Sequence, residues 1–192
     1  MPVTILGPAD YRTMPWRNGQ GTTTEISVDR AADFRWRLSV AEIAQSGPFS
    51  NFAFYDRIIA VIDGDGLKLA VAPRTPVLLT QPAPPYRFSG DAATTGTLLG
   101  GPVRALNLFY RREAVTGTLA VLRTGGAVKL TGGTVLLHVA RGEVSATHHD
   151  FGRRDLVAGQ TLTLDGLGGE LLVQSRSGCH ALVASITPLD EA

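Results

Sequence analysis

Arg57-Ile58-Ile59-Ala60-Val61-Ile62-Asp63-Gly64-Asp65-Gly66-Leu67 is the stretch on which the reading of this chain turns. Ile58–Ile62 is an unbroken apolar run rich in β-branched residues, which suit a pleated surface better than a helix. Asp63-Gly64 marks a turn, and Leu67 opens a second apolar strand. The order recurs in Val135-Leu136-Leu137-His138-Val139-Ala140-Arg141-Gly142-Glu143-Val144: apolar strand, charged residue, glycine, acidic residue, second strand. Pro73–Thr80 follows the first copy and Leu156–Leu164 the second, each a turn leading into a strand rich in Leu and Thr. A duplicated β-domain accounts for the echo. The alternative is that two unrelated hairpins happen to look alike.

Outward from these segments, 22 glycines and 11 prolines punctuate the whole chain, with short Val, Leu, Ile and Thr runs between them. That is the pattern of many short strands in a sandwich or barrel. Strands are expected at Thr22–Val28, Arg35–Ala41, Arg57–Ile62, Gly66–Val71, Val77–Thr80, Thr97–Leu99 and Val103–Tyr110. A second set is expected at Gly117–Leu122, Val128–Leu130, Thr134–Ala140, Glu143–Thr147, Gln160–Leu164, Glu170–Gln174 and Ala181–Ile186. One helical turn fits Pro8–Met14, closed by Pro15. Charge interrupts the apolar runs near Arg112–Thr116, which divides the chain into residues 1–112 and 113–192.

A hydrophobic fraction of 44% supports a packed core. A net charge of +1, with no basic run longer than Arg111-Arg112, gives no footprint for nucleic acid or an anionic membrane. Cys179 is the single cysteine, so neither an internal disulfide nor a CxxC zinc site is available. The first residues lack the basic and long apolar regions of a secretory signal, and a cytoplasmic address is expected by elimination.

A strand, an acid-Gly turn and a return strand also make the central hairpin of a cupin barrel, whose interior can hold one small ligand. The N-terminal half is more specific. It carries Trp16-Arg17-Asn18-Gly19-Gln20-Gly21-Thr22-Thr23-Thr24-Glu25, then Trp36–Ala41, Gly47-Pro48-Phe49-Ser50-Asn51-Phe52 with Tyr55-Asp56-Arg57, Arg87–Asp91, and Gly100–Leu108. Together, in this order, these segments resemble the HutD/Ves family of bicupins. The matches are dense from about Met14 to Arg112 and thin out afterwards. The resemblance implies an all-β bicupin, two cupin-like jelly-roll barrels in one chain. It also implies an accessory, regulatory role in histidine utilisation. The implied ligand is a carboxylated metabolite such as urocanate, formylglutamate or formiminoglutamate.

Many cupins hold a divalent metal with two or three histidines and a glutamate. All four histidines here, His138, His148, His149 and His180, lie in the second half, and Gly47–Asp56 has none. Carboxylates and carbonyls alone make a poor transition-metal site, so no metal and no other cofactor is expected. His148-His149-Asp150 is expected on a solvated loop rather than at an ion, and His138 as a hydrogen-bonded core histidine.

A carboxylate site is better motivated. If Thr22–Val28 and Arg35–Ala41 pair about Ala31, Glu25 stands opposite Arg37, and Arg37, Ser39 and Ala41 share one face. Arg37, held by Glu25, would then offer its fork to an anion; the other reading is a cross-strand ion pair at the barrel rim. Phe49, Phe52 and Tyr55 either cap the core or wall a ligand, and Arg57, at the start of its strand, could reach inward as a second anion-binding group. Asn107 is a structural hydrogen bonder or a ligand contact. Asn18, in the glycine-rich turn at Trp16–Gly21, could touch a ligand at the barrel mouth.

No nucleophile and base stand out together. A metal-independent ligand-binding regulator is therefore the leading expectation. A metal-independent isomerase, lyase or hydrolase for a related acid is the alternative, and a protein-interaction module the third. Proteins of this architecture often dimerise through edge strands, and homodimerisation stays open.

Overall fold

The computed structural model describes residues 3–16, 19, 21–30, 32–81, 83–175 and 178–189. Strands make up nearly all of its regular structure, and every registered strand pair is antiparallel. The single helical element among the described residues is a 3-10 turn at Pro8–Asp10. Its sharpness comes from Asp10, whose amide donates to Gly7 O at 2.9 Å while its carboxylate accepts the Gly7 amide at 2.8 Å. The helical turn expected through Met14 stops there, because Arg12–Pro15 pairs as a strand with Thr22–Glu25.

The chain forms two compact units. One is Tyr11–Thr116. Its six-stranded sheet runs in the order Arg12–Pro15, Gly21–Val28, Trp36–Ile43, Val103–Arg111, Tyr55–Asp63, Tyr86–Ser89. A four-stranded sheet runs Gly47–Pro48, Thr94–Leu98, Leu67–Val71, Val77–Leu79. The unit's core joins the two: Ile43, Ile59 and Val61 from the larger sheet pack with Leu67, Leu69 and Leu79 from the smaller. Period-2 alternation places these residues on the inward faces.

The other unit comprises Met1–Asp10 and Gly117–Ala192. Its five-stranded sheet runs Val3–Leu6, Thr161–Asp165, Thr134–Arg141, His180–Pro188, Val115–Leu122. The four-stranded one runs Gly126–Thr131, Gly168–Ser175, Glu143–His148, Gly152–Val157. A division at residue 112 groups Val3–Leu6 with the first half. In the structure this strand instead completes the later unit, hydrogen-bonded to Thr161–Leu164.

The echo seen in the sequence is a topological repeat. Tyr55–Asp63 lies between the strands Val103–Arg111 and Tyr86–Ser89, as Thr134–Arg141 lies between His180–Pro188 and Thr161–Asp165. Leu67–Val71 has neighbours Thr94–Leu98 and Val77–Leu79, as Glu143–His148 has Gly168–Ser175 and Gly152–Val157. One expectation is corrected. The strands flanking Gly64 and Gly142 are not hairpin partners; each glycine stands at a corner where the chain passes from one sheet to the other. Both glycines have positive φ, 93° and 81°, and an added Cβ would meet backbone at 2.6 Å and 3.0 Å. A corner this tight excludes side chains.

A second correction concerns register. Glu25 stands opposite Ser39, and Val28 stands opposite Arg37. A bulge between Glu25 and Ser27 inserts an extra residue, which symmetric counting about Ala31 could not anticipate; Ala31 itself lies outside the described residues. The turn is fixed by the Asp29 carboxylate, which accepts the Arg35 and Trp36 amides at 2.8 and 3.3 Å and pairs with the Arg35 guanidinium at 2.8 Å.

Candidate functional site: an aromatic cavity with two arginines

Three neighbouring strands of the larger sheet in the Tyr11–Thr116 unit build the floor of a cavity of about 610 Å³. Cross-strand register lines up Arg37, Phe109, Arg57 and Phe88 in one row: Phe109 is opposite both arginines, and Phe88 is opposite Arg57. Directly opposed residues point to the same face, so the sheet itself aims both guanidiniums inward. The next row places Ser39 beside Asn107, with Glu25 beyond Ser39. Ala41 and Ile43 continue the face along their strand.

Residues 49–54, between Gly47–Pro48 and Tyr55–Asp63, bring Phe49, Ser50 and Phe52 over this floor. Trp16, Met14 and Pro15 close one side, with the Trp16 indole N–H tied to Thr23 Oγ1 at 2.8 Å. Phe49 fits because Gly96 lies beneath it: an added Cβ there would sit 2.7 Å from the Phe49 ring.

The electrostatics of the site are unusual. Arg57 is 6% exposed and donates to Asn107 Oδ1 at 3.4 Å. Asn107 is in turn fixed by donation to Ala105 O at 3.2 Å. Four rings surround the Arg57 guanidinium, Phe109 at 4.4 Å, Phe88 at 4.9 Å, Phe49 at 5.2 Å and Phe52 at 5.9 Å. Arg37 lies over Phe34 and Phe109, both at 4.8 Å, and over Phe52 at 5.6 Å. Phe109 and Phe52 are thus shared by both cations. Each arginine leaves its Nε buried without a hydrogen-bond partner. Neither forms a salt bridge among the described residues.

Burial, and then the charge of Arg37, push the Arg57 pKa down to about 9, so the group is still a cation at neutral pH. Burial lowers the Arg37 pKa too, opposed by the charge of Glu25. Ring quadrupoles offset part of the desolvation. A buried charge without a counter-ion nevertheless costs several kcal/mol.

Of the residues singled out from the sequence, the structure brings Arg37, Ser39, Phe49, Phe52, Arg57 and Asn107 together around this cavity. Glu25 and Tyr55 do not line it. Glu25 acts on Arg37 by charge from the neighbouring row. Tyr55 donates its hydroxyl to Phe34 O at 2.6 Å and packs at a tilt against the Phe34 ring, so it supports the ring that lies against Arg37. Asn18 lies outside the described residues. Sequence reading missed Phe109 and Trp16 as lining residues, and Phe88 and Phe34 as rings against the two guanidiniums. Phe109 had a signal: it is two residues beyond Asn107, on the same face of one strand.

The second unit places no arginine at the corresponding position, and its hollow of about 250 Å³ is lined instead by residues that include Glu143, Ser145, Arg153, Asp155 and Gln174. The sequence echo sets Val135 in the place of Arg57, and Val135 packs with Leu137, Val139, Leu162 and Leu171 in a continuous aliphatic core. His138 is buried and hydrogen-bonded to Thr161 Oγ1 at 2.9 Å, as expected. His148 corrects its expectation, being buried rather than on a solvated loop. Its Nε2 reaches Gly168 O at 2.9 Å, and its Nδ1 accepts the Asp150 amide at 3.2 Å. His148, His149 and Asp150 have ligand atoms within 4.8 Å of one another. An ion held by His148 Nδ1 together with Asp150 would displace the Asp150 amide from that nitrogen.

A pair of cupin-type β-barrels in one chain defines a bicupin. Solved structures agree at the level of fold: an oxalate decarboxylase aligns over 97% of this chain and 77% of its own, with a TM-score of 0.65 at 7% identity. The family follows from closer comparisons. The HutD family profile matches residues 8–183, and the chain belongs to the HutD family. HutD from Pseudomonas fluorescens SBW25 superposes with a TM-score of 0.85 at 32% identity, covering 97% of this chain and 99% of that one. An uncharacterized 21.2 kDa protein in the hutC 3' region of Pseudomonas putida is 39% identical over 95% of this chain and 97% of its own. Protein Ves of Citrobacter koseri is 36% identical over 67% of this chain and 70% of its own.

Proposed function

We propose that the cavity binds a small carboxylated metabolite, with Arg37 and Arg57 as its anchors, and that the protein is a metabolite-binding regulator in histidine utilisation. The observation that carries the reading is the pair of desolvated guanidiniums sharing Phe109 and Phe52, neither met by a carboxylate. An incoming carboxylate supplies the missing counter-charge to the two guanidiniums that line the cavity, a charge-assisted contact. The rings exclude water and strengthen that contact.

Arginine, serine, threonine and asparagine are the polar residues of the described lining, and none is poised to move a proton at neutral pH. This favours binding over turnover. Membership of the HutD family, and a relative named for the hutC region, support the link to histidine utilisation. A cytoplasmic address accords with Cys179 being a buried free thiol.

The test is calorimetry of the purified protein with urocanate, formylglutamate and formiminoglutamate, each mixture then assayed for product. Saturable binding of one acid with no product supports the reading. Turnover makes the protein an enzyme, and no binding of any of the three sinks the proposed ligand class.

A further inference from the structure

We infer that Asp91 and Arg112, outside the cavity, are positioning residues that hold the aromatic wall closed over the two arginines. The wall segment, residues 49–54, belongs to no strand. Its backbone is tied at the near end by the Phe49 amide to Thr94 O at 2.9 Å. The far end is held almost wholly by Asp91 and its surroundings. Asp91 Oδ1 accepts the Phe54 amide at 2.8 Å, and Asp91 O accepts from the Asn51 side chain at 3.0 Å. The Phe52 amide reaches Gly90 O at 2.9 Å, and the Gly90 amide returns to Tyr55 O at 2.7 Å.

Arg112 locks this arrangement from the turn that follows Val103–Arg111. Its guanidinium pairs with Asp91 Oδ2, donates to Tyr55 O at 2.8 Å and to Ser89 Oγ at 3.1 Å, and pairs with Asp56 at 3.1 Å. Its amide donates to Phe54 O at 3.2 Å.

Two features show that the loop needs the brace. Phe54 takes a left-handed backbone, φ 70°, which is unfavourable for a bulky residue, and its ring is 58% exposed, so packing of that ring does not hold it there. What holds it are the backbone bonds to Asp91 and Arg112. At Gly90 an added Cβ would lie 2.4 Å from Phe52 O and 2.8 Å from Tyr55 O, so the two segments touch along their backbones. Neither Asp91 nor Arg112 lines the cavity, so any effect on it passes through Phe49 and Phe52, which cover Arg57. Without the brace the loop relaxes, the rings withdraw and Arg57 meets solvent.

The inference rests on reading the cavity as an anion site, and the experiment separates the two. Wild type and Asp91→Ala are treated with phenylglyoxal, and modification of Arg57 is followed by peptide mass spectrometry. Formylglutamate and urocanate affinities are measured in parallel. Arg57 in the variant is expected to react about tenfold faster, as local opening of the loop becomes more frequent. Acid affinity falls by a similar factor. Asp91→Asn keeps an acceptor for the Phe54 amide but loses the charge facing Arg112, and an intermediate rate is expected. It also serves if the alanine variant does not fold. Faster modification in the variants when no form binds an acid keeps the brace and overturns the anion reading. Wild-type reactivity at Arg57 in a folded variant overturns the brace whatever the acids do.

Discussion

Arg37 and Arg57 lie on either side of Phe109 in one cross-strand row, their guanidinium carbons 4.8 and 4.4 Å from its ring centre. Like charges are driven apart unless the backbone fixes them, and here three hydrogen-bonded strands do so. The free protein therefore holds a local electrostatic cost that an anion relieves. Sites built this way trade stability of the empty form for affinity.

The first consequence concerns Arg57. Replacing a buried, unpaired cation by an apolar residue of similar length is neutral or stabilising, by about 1–4 kcal/mol in comparable cases. Arg57→Met is expected to raise the thermal midpoint of the ligand-free protein while abolishing binding of carboxylates. Differential scanning calorimetry with and without ligand checks both halves. A variant that melts well below wild type contradicts the view that Arg57 is held at a cost.

Arg37 is less buried and has the charge of Glu25 nearby, so its removal exposes a different balance. Arg37→Ala is expected to stay folded and to weaken carboxylate binding by about 1.5–3 kcal/mol, the usual worth of a desolvated charge-assisted hydrogen bond. Titration calorimetry reads this directly. Wild-type affinity in the folded variant would move the anion site away from Arg37.

Much of this was legible in the sequence, and the limits have physical causes. The apolar runs around Gly64 and Gly142 disclosed the repeat, because burial on both faces leaves little room for polar residues. The same runs could not say whether flanking strands pair or part at a corner, since either needs glycine. Alternation along Trp36–Ile43 put Arg37 and Ser39 on one face. The partner of Arg37 was misplaced because a bulge is a tertiary adjustment with no sequence signature here. Val3–Leu6 joins the distant Thr161–Leu164, a pairing that no local pattern encodes. Phe88 and Phe34 reach the site through register and loop geometry, which hydrophobic periodicity does not report.

Gly96 sets the depth of the wall. Gly96→Ala places a methyl 2.7 Å from Phe49 Cε1 and 3.1 Å from Leu67 Cδ1. The ring can yield where backbone cannot, so it is expected to swing into the cavity, with destabilisation of about 1–3 kcal/mol from overpacking. Ligand affinity should fall more than stability suggests. Equal affinity in the variant would show that Phe49 is not a ligand wall.

Asp91 gives the brace a pH signature. Hydrogen bonds from Ser89 and the Phe54 amide, and then Arg112, hold its pKa at about 2 against 3.8 for the free side chain. A carboxyl with a depressed folded pKa stabilises fully above its unfolded value, and that contribution disappears as pH falls from 3.8 toward 2. Urea unfolding of wild type and Asp91→Asn at pH 7, 5 and 2.5 should show a gap that is nearly constant from pH 7 to 5 and narrows to less than half at pH 2.5. A gap undiminished at pH 2.5 would assign the effect of the substitution to something other than the charge.

His148 supplies the last prediction, in the unit without the arginine cavity. Its ring is buried, stacked 5.3 Å from Phe151, and spends both nitrogens on backbone, Nε2 at Gly168 O and Nδ1 at the Asp150 amide. A ring serving a carbonyl and an amide at once must be the neutral Nε2–H tautomer. Its replacement leaves two backbone groups without partners. His148→Ala is therefore expected to lose about 2–4 kcal/mol, from a cavity and the unsatisfied groups together. Wild type should show no change in melting temperature with zinc or with EDTA, because binding an ion through Nδ1 of His148 would require giving up its bond to the Asp150 amide. A rise with zinc that vanishes in His148→Ala would show that the ion pays for that rearrangement and would make this cluster a metal site after all.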